Sequence, residues 1–307
     1  MPTSLAIAFL AGAWSLSWVV MKTSQSVCDP LLFGTLACGL GALVTFIGYW
    51  LRGRHPRRPP WGFLGWAGVL GVGSFQICAQ LALSSGGAGK TILLIYSMPF
   101  WATAIAWRVL GEVPRPVEKV GLGLAAVGLL LVVAPWEAAP VAASLWALAS
   151  GLSSAIGAVA TRRLLQQAGS VNPIEASAWQ LAIGTVPLAI AWWALSGRGL
   201  TMTPGLVGAM AYNAVLCGVP AWAMWGLVVK RLPMAGAGLV SLLVPMAGVG
   251  WAWLFLGERP SGLEGIGMAI ILVALVWPML RTRSATPSAV ASSSMVPTSS
   301  VTEPELS

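Results

Sequence analysis

Pro99 and Glu112 stand 13 residues apart, and 146 positions later Pro245 and Glu258 repeat that spacing. Each proline lies inside a long apolar run, and each glutamate follows a glycine at the end of that run. A proline within a helix removes a backbone hydrogen bond and bends the helix, leaving a carbonyl free in the middle of the segment. A glutamate just past a helix end has two uses: it pairs with an arginine in the loop, or it caps the N-terminus of the next helix, where negative charge is favoured. These four residues are the candidates for hinges and gates.

A second group suits binding. Trp14 and Trp18 are four apart and share a helix face, as do Gln76 and Gln80. Tyr96 and Trp101 flank Pro99, while Asn213, Trp222 and Ser241 fall inside later apolar runs. Tryptophans near run ends belong to interfacial belts. Amides beside indoles in mid-run point instead to a cavity for a small zwitterionic or partly aromatic solute. Lys90 opens a helix, where the dipole disfavours positive charge, and its counterpart 146 residues on is Gly236. The repeat does not require this cation. It is read as a receptor for a substrate carboxylate near the outer gate, joined there by Lys22.

Other chemistry is absent from the sequence. The single histidine, His55, is in a loop, and no paired acids or metal-ligand clusters lie in the apolar runs. No catalytic residue, metal or cofactor is expected. Glu175 sits in "NPIE", where Asn172 reads as an N-cap, Pro173 as the first helical residue and Glu175 as part of the first turn. No carboxylate therefore lies deep in a run to carry protons. "SSGGAGKT" at 84–91 resembles a phosphate loop but has Ser84 in place of the first glycine and no preceding strand.

The elements that hold these residues are membrane helices. Charged residues make up 8% of the 307-residue chain, against about 25% in soluble domains. None occurs in 30–51, 59–89, 91–107, 120–136, 138–161, 176–197, 199–229, 232–257 or 265–280. A membrane helix needs about 20 apolar residues, and β-barrel strands would alternate. Helices are expected near 4–22, 30–51, 61–84, 89–108, 117–135, 141–163, 173–195, 204–229, 233–256 and 262–281. Gly62, Gly65, Gly68 and Gly71 in the third are assigned to close helix packing. The segment 282–307 is rich in Ser, Thr and Pro and reads as a disordered cytoplasmic tail. With the N-terminus inside, 13 of 17 Lys and Arg fall in cytoplasmic segments, which sets both termini in the cytoplasm. That distribution also accounts for the net charge of +8 without nucleic acid, whose binding would gather the charge on one face.

Aligned without gaps, 99–132 and 245–278 match at 11 of 34 positions, including Gly111/Gly257, Glu112/Glu258 and Glu118/Glu264. Five helices per unit is an odd number, so the second unit enters the membrane upside down. Such inverted repeats build two gates on opposite sides of one site. "YSMPFWATAIAWRVLGEVPRPVEKVG" and "LLVPMAGVGWAWLFLGERPSGLEGIG" resemble the paired signatures of EamA-type transporters in the drug/metabolite transporter superfamily. The resemblance implies an all-α polytopic membrane protein of ten transmembrane helices in two inverted five-helix repeats, with a central cavity lined by spans 1, 3, 4, 6, 8 and 9. It also implies export of amino acids or other metabolites. The sixth span, "SSAIGAVATRR", lacks the aromatic usual at its start.

The expected units are 1–136, 137–281 and the tail. The expected protein is a secondary transporter of the bacterial cytoplasmic membrane, its partners a small-molecule substrate and the lipid bilayer, with a homodimer left open. A multidrug exporter of lipophilic cations ranks lower because no intramembrane anion is present, and a non-transporting scaffold gains nothing from dual-facing gates.

Overall fold

A computed structural model describes residues 2–85, 88–133, 141–167, 171–257 and 262–283. Glu258, the Lys90 side chain and the expected tail beyond residue 283 lie outside the described residues. The helices are α1 (Thr3–Ser24), α2 (Pro30–Trp50), α3 (Trp61–Ser85), α4 (Ala88–Ile95 and Met98–Leu110) and α5 (Pro116–Val133). They continue as α6 (Val141–Gln167), α7 (Pro173–Leu195), α8 (Pro204–Arg231), α9 (Met234–Ser241 and Leu243–Leu256) and α10 (Gly262–Arg283). Eight of these, all but α5 and α10, are long and apolar enough to cross a membrane among the described residues. The described residues form no strand; an isolated bridge joins Cys28 to Leu200 between two loops.

Local sequence explains the helix starts. Asp29 Oδ1 accepts from the Leu31 and Leu32 amides at 3.0 and 3.2 Å, Asn172 from Ile174 at 2.9 Å, and Thr203 from Leu206 at 3.1 Å. A proline follows each cap, where its missing N–H costs nothing. Asn172, Pro173 and Glu175 thus occupy the positions expected of them. Gly111 and Gly257 end α4 and α9 with φ of 71° and 69°, a left-handed conformation that glycine adopts without strain.

The interiors depart from the expected continuous helices in two paired ways. α3 is π-helical over Val69–Ser74, and α8 over Tyr212–Gly218. α4 is broken at Tyr96–Ser97 and α9 at Leu242; Tyr96 and Leu242 are 146 apart, as are Pro99 and Pro245. The cause is that neither proline can return a hydrogen bond to the carbonyl four residues back. The freed Ile95 carbonyl turns toward α6, 2.6 Å from where a Cβ on Gly151 would sit. The proline effect is therefore a break rather than a bend.

Helices of one half pack against helices of the other, and two pairs, α2 with α7 and α5 with α10, are counterparts in the repeat. Where α2 begins, Asp29 bonds Ser196 at the end of α7. Further along, Gly34 meets Leu188 and Gly39 meets Thr185, and Tyr49 at the other end receives a bond from Asn172. α2 and α7 are antiparallel. α5 packs along α10, α3 against α6, and α1 against α8 and α9. At the α3–α6 crossing the backbones nearly touch: a Cβ on Gly157 would lie 2.1 Å from Gly71 Cα. Gly68 is equally confined by Ile183, but Gly62 and Gly65 face open space, so the packing role expected of all four holds for two. Trp193, Leu254 and Trp50 are about as exposed as side chains become, at 78, 69 and 69%. In water that would be costly; facing lipid it is not.

Candidate functional site

Between α1, α3, α4 and α8 lies a cavity of about 90 Å³, with contributions from α2, α6, α7 and α9. The irregular backbone is what reaches it. Phe75 and Gln76 follow the π-helical stretch of α3, Asn213, Cys217 and Gly218 belong to that of α8, and Tyr96 is at the break in α4. A π-helical turn changes the rotational register of the residues beyond it, and such turns recur at functional sites.

Six aromatic rings form one connected collar. Tyr96 contacts Trp18 (centroids 6.4 Å apart), Trp18 contacts Phe75 (6.5 Å), and Phe75 contacts Trp222 (6.3 Å). Trp222 in turn contacts Trp14 (5.6 Å), and Trp14 contacts Trp225 (6.2 Å). Four of these contacts are edge-to-face at 65–87°, the arrangement ring quadrupoles favour, and Trp14–Trp225 is tilted at 52°. All six line the cavity.

Four polar side chains around the collar donate to backbone carbonyls. Trp14 Nε1 donates to Cys217 O at 3.3 Å, Ser17 Oγ to Trp14 O at 2.7 Å, and Ser241 Oγ to Gly238 O at 2.7 Å. Asn213 Nδ2 donates to Ala209 O at 3.1 Å. Tyr212, just outside, donates to Ala13 O at 2.7 Å and ties α1 to the π-helical part of α8. Among the described residues, none that lines the cavity carries a formal charge.

Of the expected binding residues, Trp14, Trp18, Gln76, Tyr96, Asn213, Trp222 and Ser241 come together here. Two do not. Trp101 turns away, 42% exposed, its indole donating to Ser97 Oγ at 3.2 Å. One helical turn from Tyr96 and beyond the break, it faces outward. Gln80 is fully buried but outside the cavity, bonded to Met21 Sδ at 3.5 Å and receiving Gln25 Nε2 at 3.3 Å. Four-residue spacing pairs it with Gln76, but the lining ends one turn earlier. Lys22 donates to Leu83 O at 2.6 Å and is not among the lining residues.

Glu112 is engaged at one end of the bundle. Its carboxylate meets Arg162 Nη2 at 2.5 Å and accepts the Met234 amide, the first of α9, at 3.1 Å. Arg162 also donates to the carbonyls of Val229 and Leu232 at the end of α8. One guanidinium thus joins α4, α6, α8 and α9. Glu112 therefore pairs with an arginine of α6 and not of the loop, and the helix it caps is α9 and not the next one; α5 is capped by Glu118, which accepts the Arg115 amide at 2.8 Å. Pro99 is buried against Gly238 of α9, and Pro245 is buried too. Arg162 was missed from sequence. Its signal was a charge directly after the run 138–161, on the same expected side as Glu112.

Comparison with known proteins gives the same outline. The chain is 24% identical over 271 residues to a "Probable amino-acid metabolite efflux pump" of Salmonella typhimurium, covering 85% of this chain and 89% of that protein. A "Probable terminal-alkyne amino-acid exporter" of Streptantibioticus cattleyicolor is also 24% identical, over 71% of this chain and 72% of its own. An uncharacterized transporter of Bacillus subtilis, YoaV, is similar at 24% over 86% of this chain and 89% of its own. A crystal structure 20% identical in sequence shares the fold with a TM-score of 0.75, covering 92% of this chain and 98% of that one. The EamA-like transporter family matches twice, over residues 2–134 and 141–279, each match covering one half of this helical, multi-pass membrane protein. The chain belongs to the EamA-like transporter family.

Proposed function

We propose that this protein exports a small metabolite, an amino acid or a related solute, across the bacterial cytoplasmic membrane by alternating access. Ten helices cross the bilayer in two inverted five-helix halves, residues 1–136 and 137–281, with both termini in the cytoplasm. The observation that carries this reading is the antiparallel packing of α2 on its counterpart α7, with a cavity between the halves. Odd-numbered halves related in this way supply equivalent gates to opposite faces.

The solute sits in the cavity against Trp14, Trp18, Gln76, Tyr96, Asn213, Trp222 and Ser241. Glu112 and Arg162 hold the cytoplasmic gate, and the breaks at Pro99 and Pro245 are the hinges. A helix already interrupted in mid-membrane can change direction without losing further backbone bonds. The names of the efflux pump and exporter relatives support export and an amino-acid-like cargo. Among the described residues lining the cavity there is no carboxylate for proton coupling, which favours facilitated export or exchange.

The test is counterflow. Purified protein in liposomes preloaded with unlabelled amino acids should accumulate a labelled one transiently, and Trp222→Ala should abolish the effect. If no member of an amino-acid panel is moved faster than by empty liposomes, the cargo assignment is wrong.

A further inference from the structure

We propose that the connection between α2 and α3 is a docking site for anionic phospholipid headgroups, whose phosphodiester its four arginines hold at the cytoplasmic surface. The inference rests on the topology proposed above and not on which solute is carried.

The connection, "RGRHPRRPP" at 52–60, sets Arg52, Arg54, Arg57 and Arg58 within one short stretch. From the first to the last the chain reaches about 20 Å at full extension. No acid lies in the stretch, all four arginines are exposed, and none of them is ion-paired among the described residues. Unopposed like charges at this spacing repel one another, and an anion among them relieves that. Membrane topology explains an excess of cations on this side but not the form it takes. The α4–α5 connection, on the same side, mixes Arg115 and Lys119 with Glu112 and Glu118. Between α2 and α3 every cation but the neutral-range His55 is an arginine. Lysine would orient the chain equally well, whereas the planar guanidinium fork matches a phosphate with two parallel hydrogen bonds.

The backbone presents these residues in advance. The Arg52 and Arg54 amides both donate to Tyr49 O, at 3.1 and 3.0 Å, around a turn in which Gly53 has a φ of 63°. Beyond the turn Pro56, Pro59 and Pro60 restrict the chain, so little freedom remains to be lost on binding. Tryptophan sets the depth. Trp50 and Trp61 flank the connection, both exposed, where an interfacial belt stands level with headgroups. The Arg58 guanidinium lies 4.4 Å from the Trp61 ring centre and is held at that level by the ring face. Tyr49 also receives the Asn172 bond from the start of α7, so a headgroup docked here sits where the two halves meet.

The full chain, purified in detergent, is offered phosphatidylglycerol and phosphatidylcholine of identical acyl chains in varied ratio, and the retained lipids are counted by native mass spectrometry. Each arginine at such a surface is worth about fivefold, so phosphatidylglycerol should be preferred a hundredfold or more. Arg52→Gln with Arg54→Gln, or Arg57→Gln with Arg58→Gln, should each cut that preference about twentyfold. Arg115→Gln with Lys119→Gln removes the same charge from the same face and should leave it within twofold. All these side chains are exposed, so thermal melts in phosphatidylcholine should match the parent, which separates loss of the site from loss of the fold. Equal retention of the two lipids would overturn the proposal. So would an equal loss in the Arg115 and Lys119 variant, which assigns the effect to net charge alone. If excess inorganic phosphate at constant ionic strength displaces phosphatidylglycerol, the site is one for free phosphate and the lipid assignment falls. Lipid binding in detergent is independent of counterflow, so either reading can fail while the other stands.

Discussion

Glu112→Gln removes one charge from the cluster that joins four helices around Arg162. The side chains of Arg162 and Glu112 are 10% and 24% exposed, so the pair is largely but not wholly withdrawn from water. Breaking a fully buried pair costs about 3–5 kcal/mol. The quarter exposure of Glu112, and the two α8 carbonyls that still hold Arg162, bring the expected loss nearer the value of a single charged hydrogen bond, about 2 kcal/mol. If these contacts exist only when this end is closed, that energy shifts the gate equilibrium roughly thirtyfold toward opening. Cys217 and Cys38 line the cavity and are buried. Membrane-impermeant maleimide applied from the Glu112 face, with labelled peptides read by mass spectrometry, should therefore modify Cys217 tens of times faster in Glu112→Gln than in the parent. Applied from the opposite face, it should label more slowly than in the parent. The exchange Glu112→Arg with Arg162→Glu should recover part of the lost closure, because the two side chains meet directly. A labelling rate within twofold of the parent from both faces, in a protein with unchanged thermal stability, would show that the pair does not hold the gate.

Gly238→Ala places a Cβ 2.8 Å from the Pro99 ring and 3.0 Å from its Cα, forcing α9 away from the break in α4. Thermal melts should show a loss of about 1–3 kcal/mol, and counterflow should slow. Gly157→Ala is more severe, since its Cβ would fall 2.1 Å from Gly71 Cα; expression of folded protein should collapse, while Gly62→Ala and Gly65→Ala should be silent by size-exclusion profile. Burial, and then the neighbouring Asp29 carboxylate, push the Cys28 thiol up to about 11. At pH 8 Cys28 should resist iodoacetamide in the folded protein and react only after unfolding. Its folded pKa is raised, so the associated stability is complete below the ordinary thiol range and is lost as pH climbs through about 11; melts should fall over that alkaline window. Among the described residues the cavity lining holds no carboxylate or histidine, so transport rate should be flat between about pH 6 and 8.

Most of the helix pattern was legible because the membrane enforces it. Uncharged runs of the required length have few alternatives, and Asn172–Pro173 or Asp29–Pro30 announce helix starts by a local hydrogen bond that any context must supply. The repeat was legible for a similar reason: Gly111 and Gly257 require glycine for their backbone angle, so the register shows through divergent apolar sequence. The π-helical stretches were not. A one-residue widening of the helix depends on what it packs against, here the Gly71–Gly157 contact on one side and the Tyr212–Ala13 bond on the other. Those contacts rotate Phe75, Gln76 and Cys217 toward the cavity. A regular four-residue spacing could not foresee the rotation, and it wrongly included Gln80. Trp101 failed likewise, because a helix broken at Tyr96–Ser97 no longer keeps Tyr96 and its neighbours on one continuous face.

Lys22 shows what duplication carries over even when residue types differ. It ends α1 and donates to Leu83 O; Arg162, near the end of α6, donates to Val229 O. Leu83 and Val229 are 146 apart, the interval of the repeat. Each half therefore sets a cation from its first helix on the carbonyls that close its third, where the helix dipole favours positive charge. Lysine and arginine do this differently: the guanidinium fork reaches Val229, Leu232 and Glu112 together, whereas an ammonium is a point charge on a flexible stem. The equivalence gives Lys22 a structural duty at the end of α3.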